Sequence, residues 1–212
     1  MFYIFQPLYL QKLGASPVEI GGILSAVGVS MSLAHIPAGY LADRIGRKQV
    51  LIAGWLIGLS SAWIMALASS LLVFTIGLLS FSTTIFILAP LSSYVTAARG
   101  KLSIGRSITL ISASFNTGAI LGPIIGGQIG DQVGLRQVYV IAACIFILST
   151  LMVFFIRPQP VEAQSKDRSL RALHIDRRYQ LYLGIVFLAV FAMFLPQSLS
   201  LESMWIFMAA PY

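Results

Sequence analysis

Charge is what this sequence has least of. Asp, Glu, Lys and Arg make up 10% of its 212 residues, against about 25% in an ordinary water-soluble domain. So few charges cannot cover a water-facing surface, which excludes a soluble globular enzyme or binding module. Cysteine is almost missing too. The lone Cys144 has no partner for an internal disulfide and leaves no Cys-rich metal site. There is no HExxH, no pair of carboxylates inside an apolar run and no phosphate-cradling glycine loop. The sequence therefore offers no enzyme chemistry, no ATP-driven pump, no metal site and no cofactor site. The N-terminus, Met1 followed by FYIFQPLYL, lacks the basic start and small-residue cleavage site of a signal peptide.

What the chain has is apolar length. Hydrophobic residues make up 58% of it, and the charges cluster between long apolar runs, as they must if those runs lie in lipid. Crossing the hydrocarbon core takes about 20 apolar residues. Full spans are expected at 17–41, 49–69, 71–97, 104–129, 137–156 and 179–200. Residues 1–13 are apolar but short, the expected end of a truncated first span. Ser16, Pro17 and Glu19 then spell a helix start, with a capping serine, a proline in the first turn and a capping-box glutamate.

The basic residues orient the spans. If residues 42–48 are cytoplasmic, only Lys12 and Arg136 of the 14 Lys and Arg fall on the outer side, a decisive asymmetry under the positive-inside rule. The net charge of +7 thus belongs to inner loops, and no nucleic-acid partner is expected. Three regions follow: a bundle at 1–156, a polar cytoplasmic linker at 157–178 and the first helix of a second bundle at 179–212.

The chain also matches itself. GYLADRIGRKQV at 39–50 aligns with GQIGDQVGLRQV at 127–138, an offset of 88 residues. Gly39 pairs with Gly127, Asp43 with Asp131, Gly46 with Gly134 and Lys48 with Arg136. The copies lie three spans apart, so they face opposite sides of the membrane. Inverted three-plus-three repeats are a transporter architecture.

The segment Gly39, Tyr40, Leu41, Ala42, Asp43, Arg44, Ile45, Gly46, Arg47, Lys48 resembles, without departure, the signature between helices 2 and 3 of the major facilitator superfamily. Gly118, Gly122, Pro123, Gly126 and Gly127 form a GxxxGPxxGG pattern similar to one in helix 5 of that family's antiporters. The resemblance covers essentially the whole chain. It implies an all-α membrane fold: a six-helix bundle of two inverted three-helix repeats, plus a seventh helix. It also implies residence in the cell membrane and a conformational latch built from Gly39, Asp43, Arg44, Gly46, Arg47 and Lys48. The glycines and Pro123 would form a packing hinge in helix 5.

Within the spans His35 is the one ionisable side chain away from the ends. It is expected as a neutral packing residue. Gln6, Tyr9, Thr83, Thr84, Ser112 and Asn116 are candidate cavity-lining residues, uncharged and partly aromatic, which suits amphipathic or apolar solutes. In physical terms Asp43 is expected near the start of the third span, where a helix dipole favours a carboxylate. The fourth span lacks the arginine that antiporters of the family often carry, a departure that weighs against proton-coupled antiport.

The expected function is secondary transport by alternating access, driven by a proton or other ion and directed outward. Its partners are a small-molecule substrate, the bilayer and a C-terminal half beyond this chain. An uptake symporter or uniporter is the alternative within the class. A non-transporting membrane receptor or scaffold is the alternative outside it.

Overall fold

Three helices begin on a serine. Ser16 Oγ accepts from the Glu19 backbone N–H at 3.3 Å, while the Ser16 N–H donates to the Glu19 carboxylate at 2.8 Å. This is the reciprocal capping box that the sequence predicts. Ser70 accepts from the Val73 N–H at 3.4 Å and Ser103 from the Arg106 N–H at 3.3 Å. Each cap satisfies a donor that an apolar medium would leave bare.

The structure, a computed structural model, describes residues 3–158 and four further helical positions, 181, 184, 185 and 188. The chain divides into two compact units, Met1–Ala163 and Gln164–Tyr212; the account below concerns the first. The expected linker and seventh span fall almost wholly outside the described residues. In chain order the helices are α1 (Gln6–Lys12), α2 (Pro17–Ile45), α3 (Arg47–Leu67), α4 (Leu71–Thr83), α5 (Leu88–Ala97), α6 (Ile104–Gln132) and α7 (Leu135–Phe154). Among the described residues there is no strand. Five segments are long and apolar enough to cross a membrane: Pro17–His35, Arg47–Leu67, Leu71–Ala97, Ile104–Gln132 and Leu135–Phe154. The fold is all-α and polytopic.

One expected span is in two pieces. Between α4 and α5 the chain tightens into a 3-10 turn at Thr84–Ile87. Ser82, Thr83 and Thr84 each donate a hydroxyl hydrogen bond to the carbonyl three residues back, at 2.6, 2.7 and 2.7 Å, competing with regular helix geometry. Pro90 adds a missing backbone donor on the far side. The turn fits against a gap in α3, where a Cβ on Gly54 would overlap Ile87.

The expected loop at 42–48 is a single glycine. α2 continues through Ile45 and α3 starts at Arg47, with Gly46 between them at φ 94° and ψ 146°. Asp43 and Arg44 therefore lie in the last turn of α2. The charges end the apolar run without ending the helix: at 29 residues α2 is about 43 Å long, well beyond a hydrocarbon core of about 30 Å. The second copy repeats this design. α6 gives way to α7 through Val133 and Gly134, the latter at φ 106° and ψ 154°. That backbone region is essentially closed to residues with a Cβ, and it recurs at two positions that correspond in the repeat.

The third helices of the two repeats that the 88-residue offset defines, α3 and α7, run antiparallel against each other. Trp55 Nε1 donates to Ser149 Oγ at 2.8 Å, and Arg136, at the start of α7, reaches the last carbonyls of α3. At mid-contact the Phe146 ring sits 2.8 Å from where a Cβ on Gly58 would be. Gly58 and Phe146 correspond under the 88-residue offset. Equivalent residues touch where a two-fold axis passes between them, so the two three-helix repeats are related by a pseudo-two-fold rotation through this contact. The largest connected core lies at the end away from Gly46. Leu10 of α1, Met65 and Ala66 of α3, Phe74 and Leu78 of α4, and Tyr139 and Ala143 of α7 are at most 1% exposed there.

Substituting Gly46 or Gly134 by alanine is expected to cost about 1–3 kcal/mol each, the strain of that backbone region. Alanine at Gly105, a helical glycine with open space around its Cβ position, should cost nothing. Thermal unfolding of the three variants in detergent checks this ordering.

Candidate functional site

The signature segment sits across a helix junction. Arg44 is exposed, Gly46 is buried, and Arg47 and Lys48 are half-buried. Arg44, in the last turn of α2, is favoured by that helix's dipole. Asp43 also lies in the last turn of α2, and Arg47 and Lys48 lie in the first turn of α3. Arg47 and Lys48 are disfavoured by the dipole of their own helix, so their stabilisation must come from other groups. Such placement suits charges that serve contacts beyond their own helix.

The helix-5 pattern divides in two. Gly122 and Gly126 are buried, and a Cβ on Gly126 would lie 2.6 Å from the Phe5 ring. Gly126 thus allows Phe5, just ahead of α1, to press against α6. Gly118 and Gly127 have open space around their Cβ positions. Pro123 leaves the Ala119 carbonyl without its intrahelical donor, yet α6 continues unbroken to Gln132.

The candidate lining residues do not gather on one surface. Gln6 and Tyr9 are each 3% exposed. Tyr9 belongs to a packed aromatic triad, with ring centroids 4.9 Å from Phe74 and 4.9 Å from Tyr139, which removes it from any open surface of this unit. Gln6 keeps a buried amide nitrogen with no hydrogen-bond partner among the described residues. Thr84 is buried and Thr83 half-buried, with both hydroxyls turned back on their own helix. Ser112 and Asn116 are exposed, as is every residue from Ser112 to Leu121.

Around α6, at about 100° per residue, the residues fall into three sectors. Ile111, Gly122 and Gly126 meet the rest of the unit; Thr109, Ser112, Asn116 and Pro123 form a polar strip beside them; Leu110, Leu121 and Ile124 form an exposed apolar sector. The repeat-equivalent helix α2 has the same order. Ile20, Val27 and Met31 pack; Gly21, Ser25, Gly28, Ser32 and His35 form an exposed strip of small and polar residues; Val18, Val29 and Leu33 form the apolar sector. Asn116 corresponds to Gly28, and Pro123 to His35.

Sequence reasoning missed the clamp at the opposite end. Arg136 Nε donates to the Ala66 carbonyl at 3.1 Å and Nη2 to the Leu67 carbonyl at 3.4 Å, capping the C-terminus of α3 with a cation. The available signal was its position. An arginine in the first turn of a helix opposes that helix's dipole and belongs with the carbonyl end of a neighbour.

These features define a polytopic membrane protein built from two inverted three-helix units with polar strips on their second helices. The chain belongs to the Major Facilitator Superfamily, whose family model matches residues 1–211. It is similar to an uncharacterised MFS-type transporter of Methanocaldococcus jannaschii, 24% identical over 162 residues. Multidrug resistance protein MdtG of a Rahnella species is 31% identical over 176 residues, and multidrug resistance protein 2 of Bacillus subtilis 26% identical over 163 residues. The matches take in 76%, 77% and 76% of this chain but 42%, 41% and 40% of those relatives. The chain therefore spans about two-fifths of their length.

Removing the Arg136 clamp, as Arg136→Ala, is expected to cost about 1 kcal/mol, with a smaller loss for Arg136→Lys. Chemical or thermal unfolding in detergent at low salt gives the comparison; equal stability of all three proteins would contradict the capping role.

Proposed function

We propose that this chain supplies one six-span half of a secondary transporter that exports small apolar or amphipathic compounds by alternating access. The observation that carries the reading is the pair of inverted units whose second helices expose matching polar strips. A strip of serine, threonine, asparagine and glycine gains nothing from lipid and suits a cavity or a partner bundle. The outward direction and the solute class are supported by the multidrug resistance relatives and by the GxxxGPxxGG pattern.

In this reading residues 1–156 form the first half, residues 157–178 a cytoplasmic linker, and 179–212 the opening of the second half in a cell-membrane protein. The end bearing Arg44, Arg47 and Lys48 faces the cytoplasm. Gly39, Asp43, Arg44, Gly46, Arg47 and Lys48 latch the two halves in one access state and release them in the other. Charges held against their own helix dipoles are suited to an exchangeable contact. Gly118, Gly122, Pro123, Gly126 and Gly127 let α6 act as a close-packed hinge, while Ser112 and Asn116 face the solute. A proton or another ion supplies the driving force.

The test uses the full-length protein reconstituted in liposomes, with ethidium and tetraphenylphosphonium as amphipathic probes and a hydrophilic sugar as control. Saturable movement of at least one cation and none of the sugar is expected. Asp43→Asn, inserted at the wild-type level, should slow that movement about tenfold, the effect of about 1.4 kcal/mol on a barrier. Residues 1–212 alone should carry no saturable flux, lacking the second wall of the cavity. Sugar transport without movement of either cation would overturn the export reading.

A further inference from the structure

A basic cluster separate from the signature segment lies where α5, α6 and α7 come together at one end of the bundle. Tyr94, in the last turn of α5, donates its hydroxyl to the Arg157 carbonyl at 2.8 Å. That bond holds the chain leaving α7 against the end of α5. Six residues join α5 to α6, turning through Gly100 at φ 58°. Lys101 lies in this connection and Arg106 in the first turn of α6. Lys101, Arg106 and Arg157, from two distant parts of the sequence, are thus gathered around one helix end. All three are exposed.

Among the described residues their side chains have no ion-pair partner. Glu19 and Asp131, acidic residues whose side chains are described, lie at the opposite ends of α2 and α6. Arg99, the other cation of the connection, is already engaged. Its Nη1 donates to the Thr96 carbonyl at 2.7 Å, capping the end of α5. Arg106 sits at the positive end of the α6 dipole, so an anion from outside the helix is what would stabilise it.

The same stretches expose apolar side chains between the charges. Leu102 and Ile104 stand between Lys101 and Arg106, with Ile108 one turn further along α6, and all three are exposed. Phe154 and Phe155 come just before Arg157, and Phe155 is 86% exposed. Orienting the chain in a membrane needs only the count of Lys and Arg. It does not need leucine, isoleucine and phenylalanine laid open beside them. Exposed apolar groups interleaved with cations match the boundary between acyl chains and phosphate headgroups. There a basic side chain lays its stem on apolar surface and keeps its charge in the headgroup layer.

We propose that Lys101, Arg106 and Arg157 form a binding site for the headgroup of an anionic phospholipid, whose acyl chains run along Ile104 and Ile108. The charges select an anion, and the apolar side chains select a lipid over a free anion. The inference needs the chain to lie in a membrane and is independent of what it transports.

The test uses the full-length protein in nanodiscs of equal parts phosphatidylglycerol and phosphatidylcholine, with the lipids it retains counted by native mass spectrometry. The wild type should retain phosphatidylglycerol in preference. Lys101→Gln, Arg106→Gln and Arg157→Gln should each lower that preference about fivefold, the worth of one basic residue near an anionic membrane surface. Single substitutions leave the other basic residues to orient the chain. Arg106→Lys keeps the charge and should lower the preference least. Lys12→Gln removes an exposed lysine outside the cluster and should leave it unchanged. Equal retention of both lipids by the wild type, or a wild-type preference in all three glutamine variants, overturns the inference. So does a loss in Lys12→Gln as large as in those variants. Inorganic phosphate that abolishes the preference, where sodium chloride of equal ionic strength does not, assigns the cluster to a free anion and overturns it too. Each of these outcomes leaves the export reading standing.

Discussion

The ring of Phe146 occupies the space that a side chain on Gly58 would need, and the rest of the fold follows from that contact. It lets α3 and α7 lie close and antiparallel, with Trp55 bonded to Ser149 three residues to either side. Because Gly58 and Phe146 are repeat equivalents, the contact also fixes how the two three-helix repeats relate. One is turned over relative to the other. The glycine junctions, Gly46 and Gly134, then fall at opposite ends of the bundle in the same backbone conformation.

The second and third helices of each repeat correspond in place, and their ends differ in chemistry. At the Gly134 end the chain is closed down: Arg136 caps α3, and the Tyr9, Phe74 and Tyr139 rings pack within 5.2 Å of one another. At the Gly46 end the equivalent segment carries Arg44, Arg47 and Lys48 at or near the surface. The two ends of the bundle thus differ in charge: aromatic packing and a capping cation at one, basic side chains at the other. The bilayer supplies the other constraint. Since every buried donor and acceptor needs a partner there, Ser, Thr and His side chains turn to their own helices, as in Thr84 to Phe81 and His35 to Met31.

Much of the architecture was legible in the residues. Apolar runs place the five described spans to within a few residues, and the match of Gly46 with Gly134 marks the repeat. The capping box at Ser16 and Glu19 was read correctly. What sequence periodicity could not show were features set by neighbours. Hydropathy marks where the membrane ends, not where hydrogen bonding ends, so α2 continued through Asp43 and Arg44 where a loop was expected. The break at Thr84–Ile87 depends on hydroxyl geometry and on the gap at Gly54. Tyr9 is apolar enough for a core and polar enough for a cavity, and only packing against Phe74 and Tyr139 assigns it to the core. His35 is hydrogen-bonded to its own helix, as expected, and lies on the exposed strip of α2.

The inverted repeat is the claim on which the account stands, and the side of the membrane on which each junction lies tests it most directly. Gln49 and Gln137 are repeat equivalents, both exposed, each just past its junction glycine. In a Cys144→Ser background, single cysteines at these positions can be probed in intact cells with a membrane-impermeant maleimide. The account predicts that Gln137→Cys labels at once and Gln49→Cys only after the membrane is opened. Labelling of both from the same side would contradict it.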